Sequence, residues 1–276
     1  MADLNDMWHK RLIYAVPGME QVRIARDLIY KHVADDALEV DVYTPVDVAT
    51  GDRRPAVIYI NGDAGPERTR HVKDMGAYVS WGQLTATRGL VGVTFNHRSV
   101  ERWKKPEVAA SDVDDLIEFV RTHAAELNID ADHLCLWTCS AGPPFALRTA
   151  LRDRPPFIRC IVAYYGLMDL QHLRDPDDPD LSATTARDFS PVTYLSRAPT
   201  QLPPLCIVRA GLDHAQLNVS IDRFVAEALV HNVMIDVLTH PTGHHAFDIV
   251  DDMPRSREII RRTLDFMETH AHVTAG

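Results

Sequence analysis

The residues that decide the fold are 134–142, which read LCLWTCSAG. The first four of them are apolar, which is typical of a strand that is covered on both faces, as in a parallel sheet. Small and polar residues follow, and then come Pro143 and Pro144, which the first turn of a helix tolerates. The segment therefore predicts a buried strand, a turn around Ser140 and a helix.

Similar apolar runs recur on both sides of this segment. Two early runs are predicted as strands, and the second of them alternates apolar and polar residues; they are 22–32 and 37–43. Mostly apolar runs then occur at 56–60, 90–95, 134–137, 158–165, 205–208 and 234–238. Helical patterns lie between them, at 107–127, 142–151, 218–230 and 255–270. This alternation predicts an α/β fold with a mostly parallel eight-stranded sheet and helices on both faces.

The segment 168–204 interrupts the alternation. It is long and polar, and it contains both acidic residues and prolines. A loop of this length in a compact domain is often a lid or another functional insertion. We therefore predict a single domain over 1–276 with a short lid-like insertion at about 168–204.

The composition is that of an ordinary globular protein with an acidic balance. Of 276 residues, 46% are hydrophobic and 25% are charged, and the formal net charge is −10. Adjacent basic residues form short pairs, such as Arg53 with Arg54, whereas a nucleic-acid binder normally shows a basic face or stripe. Neither nucleic acid nor a membrane is therefore expected as a partner. The chain has no run of about eighteen apolar residues and no signal-like start, so we expect a cytoplasmic location.

The four cysteines are predicted to be buried free thiols, because they lie in or beside apolar runs: Cys135, Cys139, Cys160 and Cys206. The first two have no second pair at metal-ligand spacing, as a zinc site would need. No metal and no organic cofactor are expected.

The turn at residues 138–142 resembles the nucleophile elbow G-x-S-x-G of the α/β-hydrolase family. In that motif the residues two before and two after the nucleophile come close together and are usually small. Gly142 fits the second position, whereas Thr138 replaces the first glycine. Cys139 is a weaker candidate, although dienelactone hydrolase uses cysteine, because the shifted frame would put Trp137 at a small position. The alternative role for Ser140 is that of a helix N-cap.

Two later turns resemble the family's acid and base turns, in the family's chain order of serine, acid and histidine. Asp213 follows the predicted strand 205–208, and His245 begins a His-Ala-Phe sequence after the strand 234–238. The resemblance implies that Ser140 is the nucleophile, His245 the base and Asp213 the orienting acid. His244 is the main rival of His245.

The loop 61–65, Asn-Gly-Asp-Ala-Gly, resembles the His-Gly-Gly-Gly loop of the hormone-sensitive-lipase-like esterases, with Gly62 as the literal match. The resemblance implies an oxyanion hole formed by the backbone N–H of Ala141 and that of Asp63 or Ala64. We expect these donors to act through the backbone, so their side chains are free to vary.

The resemblance covers roughly residues 20–270 and indicates a small esterase of the dienelactone-hydrolase and hormone-sensitive-lipase-like group. It implies a serine hydrolase that cleaves a small carboxylic ester through an acyl-enzyme. The same triad serves thioesterases, lactonases and peptidases, and a non-catalytic ligand-binding protein is the alternative from another class. We expect pocket walls from Trp81, Met168 and Phe189. An edge strand would allow a homodimer.

Overall fold

The computed structural model describes residues 4–34, 36–175, 180–197 and 201–272. Within these residues the chain forms one sheet of eight strands. The strands are β1 Arg23–Val33, β2 Asp36–Thr44, β3 Arg54–Ile60, β4 Val91–Phe95, β5 Ile129–Cys139, β6 Ile158–Tyr164, β7 Leu205–Ala210 and β8 Ile235–His240.

The order of the strands across the sheet is β1-β2-β4-β3-β5-β6-β7-β8. The β1–β2 and β2–β4 pairs are antiparallel, and all the other pairs are parallel. This arrangement confirms the predicted mostly parallel eight-stranded sheet. The parallel strands end at one edge of the sheet, where ligands bind in open α/β sheets.

The helices connect the strands and cover the sheet. They are α1 Leu4–His9, α2 Pro66–Thr69, α3 Gly76–Ala86, α4 Pro106–Thr122, α5 Pro143–Ala146, α6 Arg148–Asp153, α7 Leu170–Leu173, α8 Ala183–Asp188, α9 Ala215–Val230, α10 Phe247–Val250 and α11 Pro254–Ala271. The predicted helices at 107–127, 218–230 and 255–270 correspond to α4, α9 and α11. The helix predicted at 142–151 is divided into α5 and α6 at Leu147. No helix among the described residues has the length and apolar character needed to cross a membrane.

The core lies on both faces of the sheet, because neighbouring residues of each strand face opposite sides. In β3, Ile58 packs into the cluster that includes α4, α5, α6 and α9, whereas Tyr59 packs into the cluster that includes α3 and α11. All four cysteines are buried and free, as predicted.

Helix α3 lies unusually close to the sheet, because glycines face each other where it crosses β4. A Cβ on Gly92 would lie 2.8 Å from both the Cα and the carbonyl oxygen of Gly82. A Cβ on Gly82 would overlap the ring of Tyr43 in the neighbouring strand β2. Any larger residue at either glycine would therefore push the helix away from the strands.

The described part of the predicted insertion contains α7, α8 and a 3-10 turn at Pro191–Tyr194. Its apolar side chains belong to the α4–α9 side of the core, and they include Met168 and Phe189. Residues 176–179 and 198–200 lie outside the described part, so the lid-like role of the segment stays a prediction.

Candidate active site

Ser140 occupies a strained turn directly after β5. Its φ of +53° lies in the left-handed region, which non-glycine residues seldom adopt. The backbone holds this conformation at two points: the Ser140 N–H donates to Tyr164 O at 3.1 Å, and Leu167 N–H donates to Ser140 O at 2.8 Å. The turn thus displays the serine at the carboxyl end of a central strand.

Thr138 and Gly142 flank the serine and are packed against each other. A Cβ on Gly142 would overlap Thr138 Oγ1 and would lie 2.9 Å from Cys139 O. With threonine in place of the first glycine of the motif, no side chain fits at position 142, and glycine is required there. Its hydroxyl is buried and has no hydrogen-bond partner in the part of the chain that the structure describes.

Three side chains form a hydrogen-bonded chain at this turn. Ser140 Oγ lies 3.0 Å from His245 Nε2, and His245 Nδ1 lies 2.7 Å from Asp213 Oδ2. The Asp213 side chain is 0% exposed and that of His245 is 35% exposed, so the His245 ring borders solvent and the Asp213 carboxylate does not. The other oxygen of Asp213, Oδ1, accepts the backbone N–H of His214 at 2.6 Å.

The loops after β7 and β8 are joined to each other, which fixes Asp213 relative to His245. Leu212 N–H donates to Gly243 O at 2.9 Å. Gly211 lies so close to Pro241 that an added Cβ would overlap the proline carbonyl oxygen. The distance between Asp213 and His245 is therefore set by contacts between the two loop backbones.

The two rival residues are placed differently. His244 is 61% exposed, and its Nδ1 lies 3.1 Å from Asp251 Oδ1. Cys139 is buried, its Sγ lies 3.4 Å from the Tyr78 hydroxyl, and burial raises the pKa of its thiol to about 11. A thiol with so high a pKa is a poor nucleophile at neutral pH. The hydrogen-bonded chain joins Ser140, His245 and Asp213 and includes neither rival.

Two backbone N–H groups in the segments around the serine are without a hydrogen-bond partner in the described part of the chain. No hydrogen bond between described residues uses the N–H of Ala141 or that of Asp63, whereas the N–H of Ala64 donates to Thr69 Oγ1 at 3.0 Å. The Asp63 carboxylate accepts from Thr69 Oγ1 at 3.1 Å and from Ser99 Oγ at 3.0 Å. Thr69 and Ser99 thus hold the loop through Asp63, and the free N–H of Asp63 makes it a better candidate donor than Ala64.

Gly62 brings this loop against the elbow. A Cβ at Gly62 would lie 3.0 Å from Ala141 N and 3.1 Å from Ser140 Cβ, which is tighter than most side-chain contacts. The absence of a side chain therefore lets the two candidate donor segments approach each other.

A cavity of about 190 Å³ opens beside Ser140 and His245. Much of its wall is aromatic: Tyr78, Trp81, Trp137 and Tyr165. Trp81 contributes to this wall, and Met7 of α1 adds a further side chain from the N-terminal segment.

Met168 and Phe189 do not line this cavity, which corrects the prediction made for them. Both are buried in the core on the α4–α9 side of the sheet, whereas the cavity walls come from the α3 side. The sequence marks such residues as apolar, but it does not say to which side of the sheet a connecting segment returns.

Asp248 is a buried residue of the site that the sequence analysis missed. It lines the cavity, and its carboxyl accepts from Tyr165 OH at 2.6 Å and from Trp81 Nε1 at 3.2 Å. The Tyr165 ring lies 4.7 Å from the His245 ring, between the carboxyl and the candidate base. Burial raises the pKa of Asp248, although the hydrogen bonds from Tyr165 and Trp81 oppose this effect. The available signal was an acidic residue directly after His-Ala-Phe.

Within the described ranges, no group of three or more His, Cys, Asp or Glu residues is arranged to hold a metal ion.

The sheet and the connections have the α/β-hydrolase fold, and solved structures of this fold are similar over most of the chain. A thermophilic esterase from the Planctomycetes species Thermogutta terrifontis, Est2, is 19% identical and has a TM-score of 0.70, with 91% of this chain and 93% of that chain covered. A truncated carbohydrate esterase from gut microbiota is 18% identical with a TM-score of 0.71, and the match covers 90% of this chain and 96% of that chain.

A further similar structure is Thermogutta terrifontis esterase 2 phosphorylated by paraoxon, at 20% identity and a TM-score of 0.64, covering 91% of this chain and 92% of that chain. The family model BD-FAE matches residues 40–220. The chain therefore belongs to the BD-FAE family, an α/β-hydrolase-like esterase family. The comparison with curated proteins found no match.

Proposed function

We propose that the protein is a serine carboxylic-ester hydrolase that cleaves a small ester through an acyl-enzyme. The observation that carries the proposal is the hydrogen-bonded chain Asp213–His245–Ser140, with heavy-atom distances of 2.7 Å and 3.0 Å, on a turn that exposes the serine. A serine hydroxyl is a weak nucleophile unless a base is within hydrogen-bond reach and is itself oriented.

The reaction follows from these positions. Ser140 Oγ attacks the ester carbonyl carbon while His245 Nε2 takes its proton. Asp213 accepts a hydrogen bond from Nδ1–H of His245, so Nε2 faces the serine as a proton acceptor. The negative charge of Asp213 also stabilises the imidazolium that forms. His245 then protonates the leaving alcohol, and a water molecule deprotonated by the same nitrogen releases the acid from Ser140.

The oxyanion that forms in each half of the reaction needs preorganised donors. The free N–H groups of Ala141 and Asp63 are the candidates, since Gly62 allows their segments to approach. Removing one such donor in a serine hydrolase costs about 10² to 10³ in kcat.

The BD-FAE family membership and the esterases of the same fold support this reading. The similar esterase 2 of Thermogutta terrifontis is phosphorylated by paraoxon. Paraoxon carries a good leaving group on phosphorus, so an activated serine would displace p-nitrophenolate and become a phosphoserine ester.

The test is hydrolysis of p-nitrophenyl acetate and butyrate by the purified protein and by Ser140→Ala. We expect wild-type turnover, loss of at least about 10³-fold in the variant and a nearly unchanged melting temperature, because the change removes only the reacting hydroxyl. Paraoxon should inactivate the wild type and add a diethylphosphoryl group at Ser140, as read by mass spectrometry. Absence of wild-type turnover, or full activity of the variant, would refute the proposal.

A further inference from the structure

The cavity beside Ser140 contains a polar group that the proposed reaction does not use. Asp248 is buried, with 2% of its surface exposed, and it lines the cavity. The groups that donate to it, Tyr165 OH and Trp81 Nε1, are both neutral. Burying a carboxyl is costly unless its oxygens are well hydrogen-bonded. These two neutral donors fill only part of the hydrogen-bonding capacity of the carboxyl.

The hydrogen-bonding capacity of the cavity is only partly used. A carboxyl offers about four acceptor positions; the side-chain donors of Asp248 occupy one on each oxygen, and its own backbone N–H contributes a further contact. Trp137 also lines the cavity, and its indole N–H is buried without a hydrogen-bond partner among the described residues. The cavity thus has spare acceptor capacity and an unpaired donor, close to the candidate nucleophile.

We propose that the group entering this cavity carries a hydroxyl, so that the substrate is an ester of a short hydroxy acid whose hydroxyl is bound by Asp248. This inference rests on the proposed esterase function and specifies its substrate class. A few polar groups in an apolar pocket are what orients a ligand and selects it. Asp248 is therefore a specificity-determining residue of the site.

A hydroxyl fits the cavity better than an ammonium group does. A hydroxyl both donates and accepts, so it matches a site with an acceptor, Asp248, and a donor, Trp137, whereas an ammonium group only donates. The match does not depend on the charge of Asp248, because a carboxylate accepts the hydroxyl hydrogen and a carboxylic acid can accept or donate. A terminal methyl group can do neither.

The size of the cavity limits the length of the chain. A cavity of about 150 Å³ holds a molecule of benzene, and the cavity here is about 190 Å³. It therefore accommodates a chain of about six carbon atoms with one terminal group. Methyl 6-hydroxyhexanoate and methyl heptanoate form a matched pair, since they differ only in a terminal hydroxyl or methyl and release the same small alcohol.

The experiment compares kcat/KM for these two esters by titrating the acid released, with methyl acetate as a reference too short to fill the cavity. We expect the wild type to prefer the hydroxy ester at least about tenfold, the value of one hydrogen bond to a buried carboxyl. Asp248→Leu should abolish or invert the preference, read as the ratio of kcat/KM for the two long esters within that variant, and Asp248→Asn, which keeps an acceptor oxygen, should retain part of it. Asp251→Asn, an acidic residue of the same segment that binds His244 outside the cavity, is the matched control.

Each outcome has a distinct meaning. Equal rates for the two long esters in a wild type that hydrolyses methyl acetate would overturn this inference and leave the proposed function standing. An unchanged preference in Asp248→Leu would overturn the assignment to Asp248. Failure of the wild type on all three esters would remove the proposed function and this inference with it. If Asp248→Leu does not fold, the ratio of kcat/KM for the two long esters, measured in the wild type and in Asp248→Asn, still tests the inference.

Discussion

The replacement of Asp213 by asparagine tests the proposed mechanism at the level of a single proton. Asp213 accepts two hydrogen bonds: Oδ1 from the backbone N–H of His214 at 2.6 Å, and Oδ2 from His245 Nδ1 at 2.7 Å. An asparagine has one acceptor oxygen and one NH₂ group. The fixed backbone N–H takes the oxygen, because the NH₂ group at that position would face another donor.

The NH₂ group of the variant then faces His245 Nδ1 and forces that nitrogen to act as an acceptor. The imidazole proton moves to Nε2, which points at Ser140 Oγ and can no longer take its proton. Loss of the correct tautomer in a serine triad costs about 10⁴ in kcat. This corresponds to about 5.5 kcal/mol of transition-state stabilisation.

The assay is the steady-state hydrolysis of p-nitrophenyl butyrate by the wild type and Asp213→Asn, with thermal melting to check the fold. The control is Asp222→Asn, which removes only a surface pairing with Arg209 and should keep near wild-type kcat. If folded Asp213→Asn keeps more than about a tenth of the wild-type kcat, Asp213 does not orient the base.

Two further predictions concern Cys139 and the buried Asp112. Cys139→Ser should keep most of the activity. Iodoacetamide at pH 8 should inactivate the protein very slowly, because at that pH only about one part in a thousand of a thiol with a pKa of about 11 is thiolate. Rapid loss of activity through alkylation of Cys139 would contradict this expectation. Burial opposes ionisation of Asp112, but hydrogen bonds from Arg98 and Lys31 outweigh it and hold its pKa below the usual range. That stabilisation is present above the unfolded pKa of about 3.9 and is lost as the pH falls through the lower folded value. Asp112→Asn should therefore lower the free energy of unfolding by about 3 kcal/mol at pH 7 and by less at pH 3, as measured by denaturant melts, and an equal loss at both pH values would refute it.

The strands and the order of the site residues could be predicted because both are local or sequential signals. An apolar run between turn residues indicates a buried strand, whichever strands it later pairs with. The turn at Ser140 is recognisable locally, because Gly142 lies two residues after the serine. The positions of Asp213 and His245 came from the chain order of the resembled family. The dienelactone-hydrolase and hormone-sensitive-lipase-like placement within that family stays a prediction.

The helix α3 and the cavity could not be predicted in the same way. Residues 76–86 show no polar face, because most of the helix is buried, so the usual helical period is absent. Whether an apolar residue such as Met168 lines a pocket or the opposite core depends on contacts distant in sequence. Asp248 was missed for a related reason: a charged residue in a turn is normally exposed, and only the packing of Tyr165 and Trp81 around it shows otherwise.

The glycine contact between α3 and β4 has a consequence for how the cavity can change. Trp81, which forms a cavity wall and holds Asp248, is the residue directly before Gly82. The depth of the cavity is therefore set by a backbone-to-backbone contact outside it, at Gly82 and Gly92. Substitutions within the cavity can reshape its walls, but a single methyl group added at Gly92 would shift the whole wall outward with its helix. Because Trp81 also donates to Asp248, such a shift would change the hydrogen bonding of the buried carboxyl together with the size of the cavity.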